Sequence, residues 1–546
     1  MKPLSGVDGA FLHLETPETP MHVGSLHVFD LPPGYAGDFH ADIKRQIGER
    51  LHLAPVFTRK LAPMPLQFAN PVWVEERNVD LDQHVLRVGL TRPGTLKQLE
   101  ECAARLHSEL LDRSRPLWRL YVIEGLASGQ VAYYVKVHHA VLDGQASVLL
   151  AQALFDVTPE PRKLPPAAAR RASTEHPGLR ALAAAALKHD AGQIIKLIRH
   201  LPDAVRTLAG VFGARTQGTT GKLGQNFSFG PKTPLNVAIT GERGFAALSI
   251  SLSEIKRLAA AHDATVNDIV LVLCSGTLRR YLAHRGGIPK KPLMAAMPIS
   301  LRAAGNTDFS TQATMSLVNL NTQIDDPLER LVAIRDAAGA VKSLAARAKG
   351  MIPTDFPSIA TPWMLRGLAT LYGRSRIAGA LPPIANVVIS NVAGPPVALY
   401  AARARMSSYW PLSIVEHGLG LNITVMSYAG TMGFGFTTAR NAVPDAHKLA
   451  TALAAAFDEL VEKSATAAIM TGTARPIKNA AAPERAPLKK PAARKAAPRK
   501  PAKAAGSARR AAPKKLTAAQ ASASKRTDGA LASRRPTAKM AARRRA

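Results

Sequence analysis

The sequence predicts a mixed α/β protein of two domains followed by a basic C-terminal tail. Length is the first observation: 546 residues exceed the roughly 250–300 at which a single core stops growing. Alternation is the second, because β-branched and aromatic runs interleave with stretches whose apolar residues recur at helical spacing. Uneven charge is the third. Residues 475–546 hold 22 Lys/Arg against 2 acids, so +20 of the net +32 belongs to the end of the chain. Residues 1–474, with 49 bases against 37 acids, carry +12.

Taken in order, residues 1–156 form the first domain. "TLKQLEECAARLHSELL" (95–111) predicts an amphipathic helix, "RPLWRLYVIEGL" (115–126) and "VAYYVKV" (131–137) predict strands, and "QASVLLAQALFDV" (145–157) predicts a second helix. Residues 157–230 form a connector. Its ends, "TPEPRKLPPAAARRAST" and "QGTTGKLGQNFSFGPK", are rich in loop-forming residues. Between them, 179–212 reads as a helix with Lys/Arg on one side and Leu/Ile on the other. Two roles stand open for it: lying on an anionic membrane, or packing across two domains.

The second domain spans 231–466. "GFAALSISLSEIKRLAAAHDATVNDIVLVLCSGTLRRYLA" (244–283) predicts strand, helix, turn, helix. "PLMAAMPISL", "TMSLVNLNT", "NVVISNV", "LNITVMSYAG" and "TMGFGFTT" predict five further strands, and a helix from Pro444 to Lys463 closes the unit. Residues 467–546 are Ala/Pro/Lys/Arg-rich, too poor in apolar groups to offset chain entropy, and are expected to be disordered. Such a run binds nucleic acid or another polyanion by counterion release. A solubilising extension without a partner is the other reading.

The composition excludes several classes. Cys102 and Cys274 stand at no metal-ligand or redox spacing and read as buried free thiols of a reducing compartment. The N-terminus carries Asp8 and Glu15 and lacks the apolar core of a signal peptide. The longest uncharged run, Ile377–Ala402, contains four prolines and two asparagines, so no transmembrane helix is expected there.

The chemistry is expected at "VHHAVLDG" (137–144). Adjacent strand residues face opposite ways, so His138 and His139 suit one metal ion poorly, and no third ligand stands at a zinc-like spacing. A lone base fits better. A strand ending at His139 and turning through Asp143-Gly144 sets an imidazole at a pocket mouth, with Gly144 free to take a positive φ. Asp143 either orients the ring or pairs with an arginine to hold the loop. Histidine suits a general base because its unperturbed pKa of about 6.5 lies near neutrality.

"HHAVLDG" resembles the HHxxxDG signature of coenzyme A-dependent acyltransferases, which condensation domains of nonribosomal peptide synthetases share. The flanking motifs narrow the resemblance. "LSGVDGAFLHLETPETPMHVGSLHVF", "LLDRSRPLW", "PKTPLN", "TVNDIVLVLCSGTLRRYL", "MPISLR", "ISNVAGP" and "LNITVMSYAG" resemble, in order, motifs of the bacterial wax ester synthase/diacylglycerol acyltransferase family.

That resemblance implies two chloramphenicol acetyltransferase-like domains, α/β (α+β) in class, with the active site in a channel between them. His139 is then the general base, His138 is positional, and Asp143 and Gly144 shape the loop. Asn267 and Asp268 match the family's "ND" pair, although Thr265–Asp268 also reads as a helix capping box. Pro116, Leu117 and Trp118 read as packing, and Ser390-Asn391 and Gly394-Pro395 as loop architecture.

The substrates implied are a fatty acyl-CoA and a diacylglycerol or long-chain alcohol, with no metal or other cofactor. The place implied is cytoplasmic, peripheral to the membrane or lipid inclusions. A condensation-type enzyme using carrier-bound substrates is the alternative within the superfamily. A polyanion-binding role for the tail is the alternative outside it.

Overall fold

The computed structural model describes residues 2–4, 6–62, 71–141, 150–165, 229–300, 313–348 and 382–470. Asp143, Gly144, the connector helix at 179–212 and the tail beyond 470 lie outside the described residues. The first half runs β1 (Lys2–Pro3), α1 (Gly6–Leu14), β2 (His22–Asp30), α2 (Phe39–Arg50), β3 (Arg59–Ala62), β4 (Val72–Glu75), β5 (Val85–Gly89), α3 (Leu96–Ser108), β6 (Trp118–Glu124) and β7 (Val131–His138). The second runs β8 (Arg243–Ser251), α4 (Leu252–Ala261), α5 (Val266–Ala283), β9 (Met294–Ser300), β10 (Ala313–Asn319), α6 (Pro327–Ala348), β11 (Val387–Val392), β12 (Tyr400–Ala401), β13 (Ala404–Leu412), β14 (Leu421–Tyr428), β15 (Thr431–Ala439) and α7 (His447–Met470).

Two six-stranded sheets organise these elements, in the orders β12-β13-β2-β7-β6-β5 and β10-β9-β11-β14-β15-β8. β1, β4 and β3 make a small third sheet. β7 is buried along its whole length because both its faces are covered. Tyr133, Val135 and Val137 share a cluster with Phe39 and Ile43 of α2. Ala132 and Tyr134 face the other way, clustering with Leu99 and Ala103 of α3 and with Phe245 and Trp410 of the second half. The two-residue period of a strand puts Lys136 and His138 on this second face.

α3 begins at a capping box, Thr95 with Gln98, and buries Leu99, Ala103 and Leu106. α5 is apolar on nearly all sides and lies in the core of the second half.

The structure departs from the expected domain scheme in one respect. β12 and β13, from the second half, complete the first sheet, with β13 antiparallel to β2. A cut between 156 and 231 therefore does not separate the two sheets. β13 reaches β2 by crossing β15, and the crossing needs glycine. A Cβ at Gly435 would lie 1.9 Å from the carbonyl oxygen of Pro411, and one at Gly433 2.4 Å from that of Tyr409. Phe434 and Phe436, on the opposite face of β15, fill the second core.

The last helix also differs from expectation. It starts at His447 and continues to Met470, so residues 467–470 belong to helix and not to the tail. Alanine and other good helix formers in "SATAAIM" favour this extension. Both cysteines are buried and free. Among the described residues no single helix is long and apolar enough to cross a membrane.

Candidate active site

The histidine pair sits where β7 ends. β2 and β7 pair antiparallel with His22 opposite His138, which fixes the level of both residues in the sheet. The His138 N–H donates to the carbonyl of Leu117 (3.0 Å), and the His139 N–H donates to that of Met21 (2.8 Å). The chain then turns through a short 3-10 segment, His139–Val141. The strand thus stops at His138, one residue earlier than the sequence suggests. His139 belongs to the turn, so the two rings need not oppose each other as strand neighbours do.

His138 is fully buried. Its Nδ1 accepts the Ala140 N–H at 3.1 Å, so the proton of the neutral ring resides on Nε2. Nε2 stands 3.3 Å from Oε1 of Glu15, an electrostatic contact short of an aligned hydrogen bond. The Glu15 side chain is itself closed off from solvent. Its Oε1 accepts the Met21 N–H (3.0 Å), and its Oε2 accepts Nε and Nη2 of Arg113 (3.1 and 2.7 Å). Burial works to raise the Glu15 pKa, but His138, Arg113 and the Met21 amide outweigh it and bring it down to about 2.

His139 is partly exposed, and its ring stacks on Phe11 of α1 with centroids 3.9 Å apart and planes at 24°. Its Nδ1 is sealed from solvent and, among the described residues, meets no partner outside its own residue, whose carbonyl favours the protonated ring. Burial, helped by His138, lowers the His139 pKa to about 4, so the imidazole is neutral at pH 7.

A buried polar layer backs the pair. Lys136 Nζ donates to the carbonyls of Leu106 (2.6 Å) and Glu109, satisfying acceptors at the C-terminal end of α3. Burial brings the Lys136 pKa down to about 7. His22 Nε2 donates to the His107 carbonyl (2.5 Å). His107 in turn accepts the Tyr134 hydroxyl at Nδ1 (2.6 Å) and donates from Nε2 to the Ser413 carbonyl (3.0 Å). The last bond ties this layer to the chain just past β13.

The other sequence candidates have structural work. Asp268 accepts the Thr265 N–H (2.9 Å) and hydroxyl (2.7 Å), while its own N–H donates to Thr265 Oγ1 (3.2 Å). That is the capping box. Asn267 accepts a long 3.4 Å bond from Asn391, so the "ND" and "ISNVAGP" motifs meet. Leu117 and Trp118 are buried. The indole N–H donates to Phe57 (3.2 Å), its ring stacks on His84 (4.4 Å), and the Pro116 carbonyl accepts the Trp118 amide. Glu15, Arg113, Phe11 and Met21 were not singled out by the sequence as site residues. No spacing rule pairs Glu15 with a partner 98 residues away.

A cavity of about 560 Å³ opens between α3, the start of β8 and the start of α7. Lys97, Glu101, Arg105 and Arg440 are in its walls, and neither His138 nor His139 lines it. Glu100, also in the wall, has its pKa raised to about 7 by burial, against the pull of the Ala247 N–H it accepts (2.8 Å). Among the described residues no group of three His, Cys, Asp or Glu could hold a metal ion.

Both halves match models of one family. Residues 4–270 match the wax ester synthase/diacylglycerol acyltransferase catalytic domain, and 310–461 match the WS/DGAT C-terminal domain. The chain belongs to the wax ester synthase/diacylglycerol acyltransferase family. It is therefore an acyltransferase.

A Mycobacterium tuberculosis protein named "Probable diacyglycerol O-acyltransferase tgs2" is 35% identical over 460 residues, 83% of this chain and 97% of that protein. The O-acyltransferase WSD of Acinetobacter baylyi is 34% identical over 465 residues, 83% of this chain and 95% of its own. The solved wax ester synthase/diacylglycerol acyltransferase from Marinobacter aquaeolei VT8 superposes with a TM-score of 0.62 at 29% identity. It is matched over 85% of this chain and 100% of its own. A condensation domain of the calcium-dependent antibiotic synthetase superposes at 0.50 with 14% identity, a likeness of fold alone. The α/β class and the acetyltransferase-like plan expected from the motifs agree with these family members.

Proposed function

We propose that this acyltransferase moves a fatty acyl group from coenzyme A to a diacylglycerol or a long-chain alcohol, with His139 as general base. One observation carries the reading. His139 is clamped on Phe11, neutral at pH 7, and has its Nδ1 sealed, so Nε2 is the nitrogen left to meet a substrate. Nε2 takes the proton from the acceptor hydroxyl as its oxygen attacks the thioester carbonyl carbon. The tetrahedral intermediate then collapses, the C–S bond breaks, and the departing thiolate receives that proton from the imidazolium. His138 positions the turn. Asp143 and Gly144 complete the motif and take the loop-supporting role that the family resemblance implies for them.

Relatives named diacylglycerol O-acyltransferase and the Marinobacter wax ester synthase support both acceptor classes. The test offers purified protein labelled palmitoyl-CoA with diacylglycerol and with hexadecanol in parallel. Ester formed with either acceptor supports the reading, and the ratio assigns the preference. Hydrolysis or inertness with both overturns it. No metal or other cofactor takes part in this scheme, so chelator treatment leaves the rate unchanged. Zinc-restorable loss would overturn that.

For the tail, we propose salt-dependent binding to polyanions, nucleic acid or anionic membrane and inclusion surfaces, from its 22 bases against 2 acids. It would hold the enzyme peripherally at its lipid substrate on the cytoplasmic side. Truncation after Gly472 should abolish DNA and anionic-vesicle binding while ester formation persists. Equal binding by the truncated protein at several salt concentrations would refute the assignment.

A further inference from the structure

We infer that Glu15 is the positioning residue of the histidine pair, acting through His138 and Met21. The inference rests on the reading of His139 as the base. Three groups converge on this one carboxylate: the Arg113 guanidinium, the Met21 amide, and His138 Nε2 at Oε1, with the charge closed off from solvent at 3% exposure. A carboxylate that served only to pair Arg113 would not need to face an imidazole.

The geometry gives Glu15 a hold on each histidine. With a proton on Nε2 facing Glu15, His138 presents a lone pair at Nδ1, and that lone pair accepts the Ala140 N–H that bends the chain past His139. Flipping the tautomer would put a proton on Nδ1 against the Ala140 proton and open the turn. The second hold runs through Met21. Its N–H donates to Glu15 and its carbonyl accepts the His139 N–H, so the carboxylate is two bonds from the backbone of the base. Phe11, the ring under His139, comes from the helix immediately before Glu15, and the Glu15 N–H itself donates to the Phe11 carbonyl (3.2 Å). Residues 11–21 thus form a brace whose single buried charge is Glu15. Such preorganisation lowers the barrier by holding the base in its reactive orientation.

The test is a double-mutant cycle on the full chain with His139 intact. His138→Asn keeps an acceptor near the Nδ1 position for Ala140 but has no group reaching Glu15. Glu15→Gln keeps an acceptor for Met21 but loses the charge. We expect Glu15→Gln to lower kcat about tenfold, with KM for palmitoyl-CoA within twofold, and to add little further loss in the His138→Asn background. Losses that multiply, or a rise in KM with kcat unchanged, would overturn the proposal.

Glu15→Asp, which retains the charge, should retain more kcat than Glu15→Gln. An equal loss at equal melting temperature would count against the charge. The base reading is tested separately. An active His139→Ala protein defeats that reading, whereas an inactive one with multiplicative Glu15 and His138 losses defeats only the role of Glu15.

Discussion

His27→Phe should make the protein less sensitive to acid, by an amount that follows from burial of the ring. His27 is wholly buried, ringed by Tyr133, Phe155 and Tyr409 with centroids 5.0, 5.2 and 4.4 Å away. Among the described residues it bonds only Ser25 Oγ, at 2.7 Å from Nε2, and its Nδ1 has no partner. Burial lowers its pKa to about 3. In the unfolded chain the ring titrates near 6.5.

Between those values the unfolded chain binds a proton that the folded protein refuses, so stability falls as pH drops below about 6.5. At pH 5 the loss from this one ring is about 2 kcal/mol, and at pH 7.5 it is near zero. The variant lacks the titration. Its packing and lost hydrogen bond shift stability equally at both pH values, so the difference between variant and wild type should change by about 2 kcal/mol in the variant's favour from pH 7.5 to 5. Urea unfolding at the two pH values, followed by tryptophan fluorescence, measures it. A difference that does not move with pH would refute the assignment of a neutral buried imidazole.

Two further outcomes are expected. Asp156→Ala removes one side of a buried ion pair, Arg50 to Asp156 at 2.6 Å with 2% and 5% of the side chains exposed, and should cost about 3–5 kcal/mol in urea unfolding because the arginine charge stays buried. Thr265→Ala should cost about 1 kcal/mol by loss of the α5 cap, with ester formation per folded molecule unchanged. A fall in turnover without a fall in stability would move the "ND" motif into the chemistry.

The sequence made regular elements legible where one period dominates. The strands ending at Glu124 and His138 and the helix capped by Thr95 follow from β-branched and aromatic runs and from helical spacing. β13 was not legible: "ARMSSYWPL" carries polar residues in its middle, and its partner β2 is over 370 residues away in the chain. Its crossing of β15 is written only in Gly433 and Gly435, which from sequence read as a weak strand interior.

The site divides the same way. His138 and His139 announce themselves by adjacency and by the turn residues after them. Glu15 and Arg113 do not, because a buried ion pair is a relation between distant positions. One carboxylate in an N-terminal run looks like any solvated acid. Asp268 was legible in both of its readings, and the capping geometry is the one its hydrogen bonds satisfy.

The central claim is that His139 is the general base, and turnover by the His139→Ala protein tests it most directly. His139 is partly exposed as a residue and its ring packs on one face of Phe11, so the melting temperature should stay close to that of the wild type. Coenzyme A release with saturating acceptor alcohol should fall by about 10²–10⁴-fold, the usual contribution of a positioned base. Near wild-type release from a folded His139→Ala protein would contradict the account.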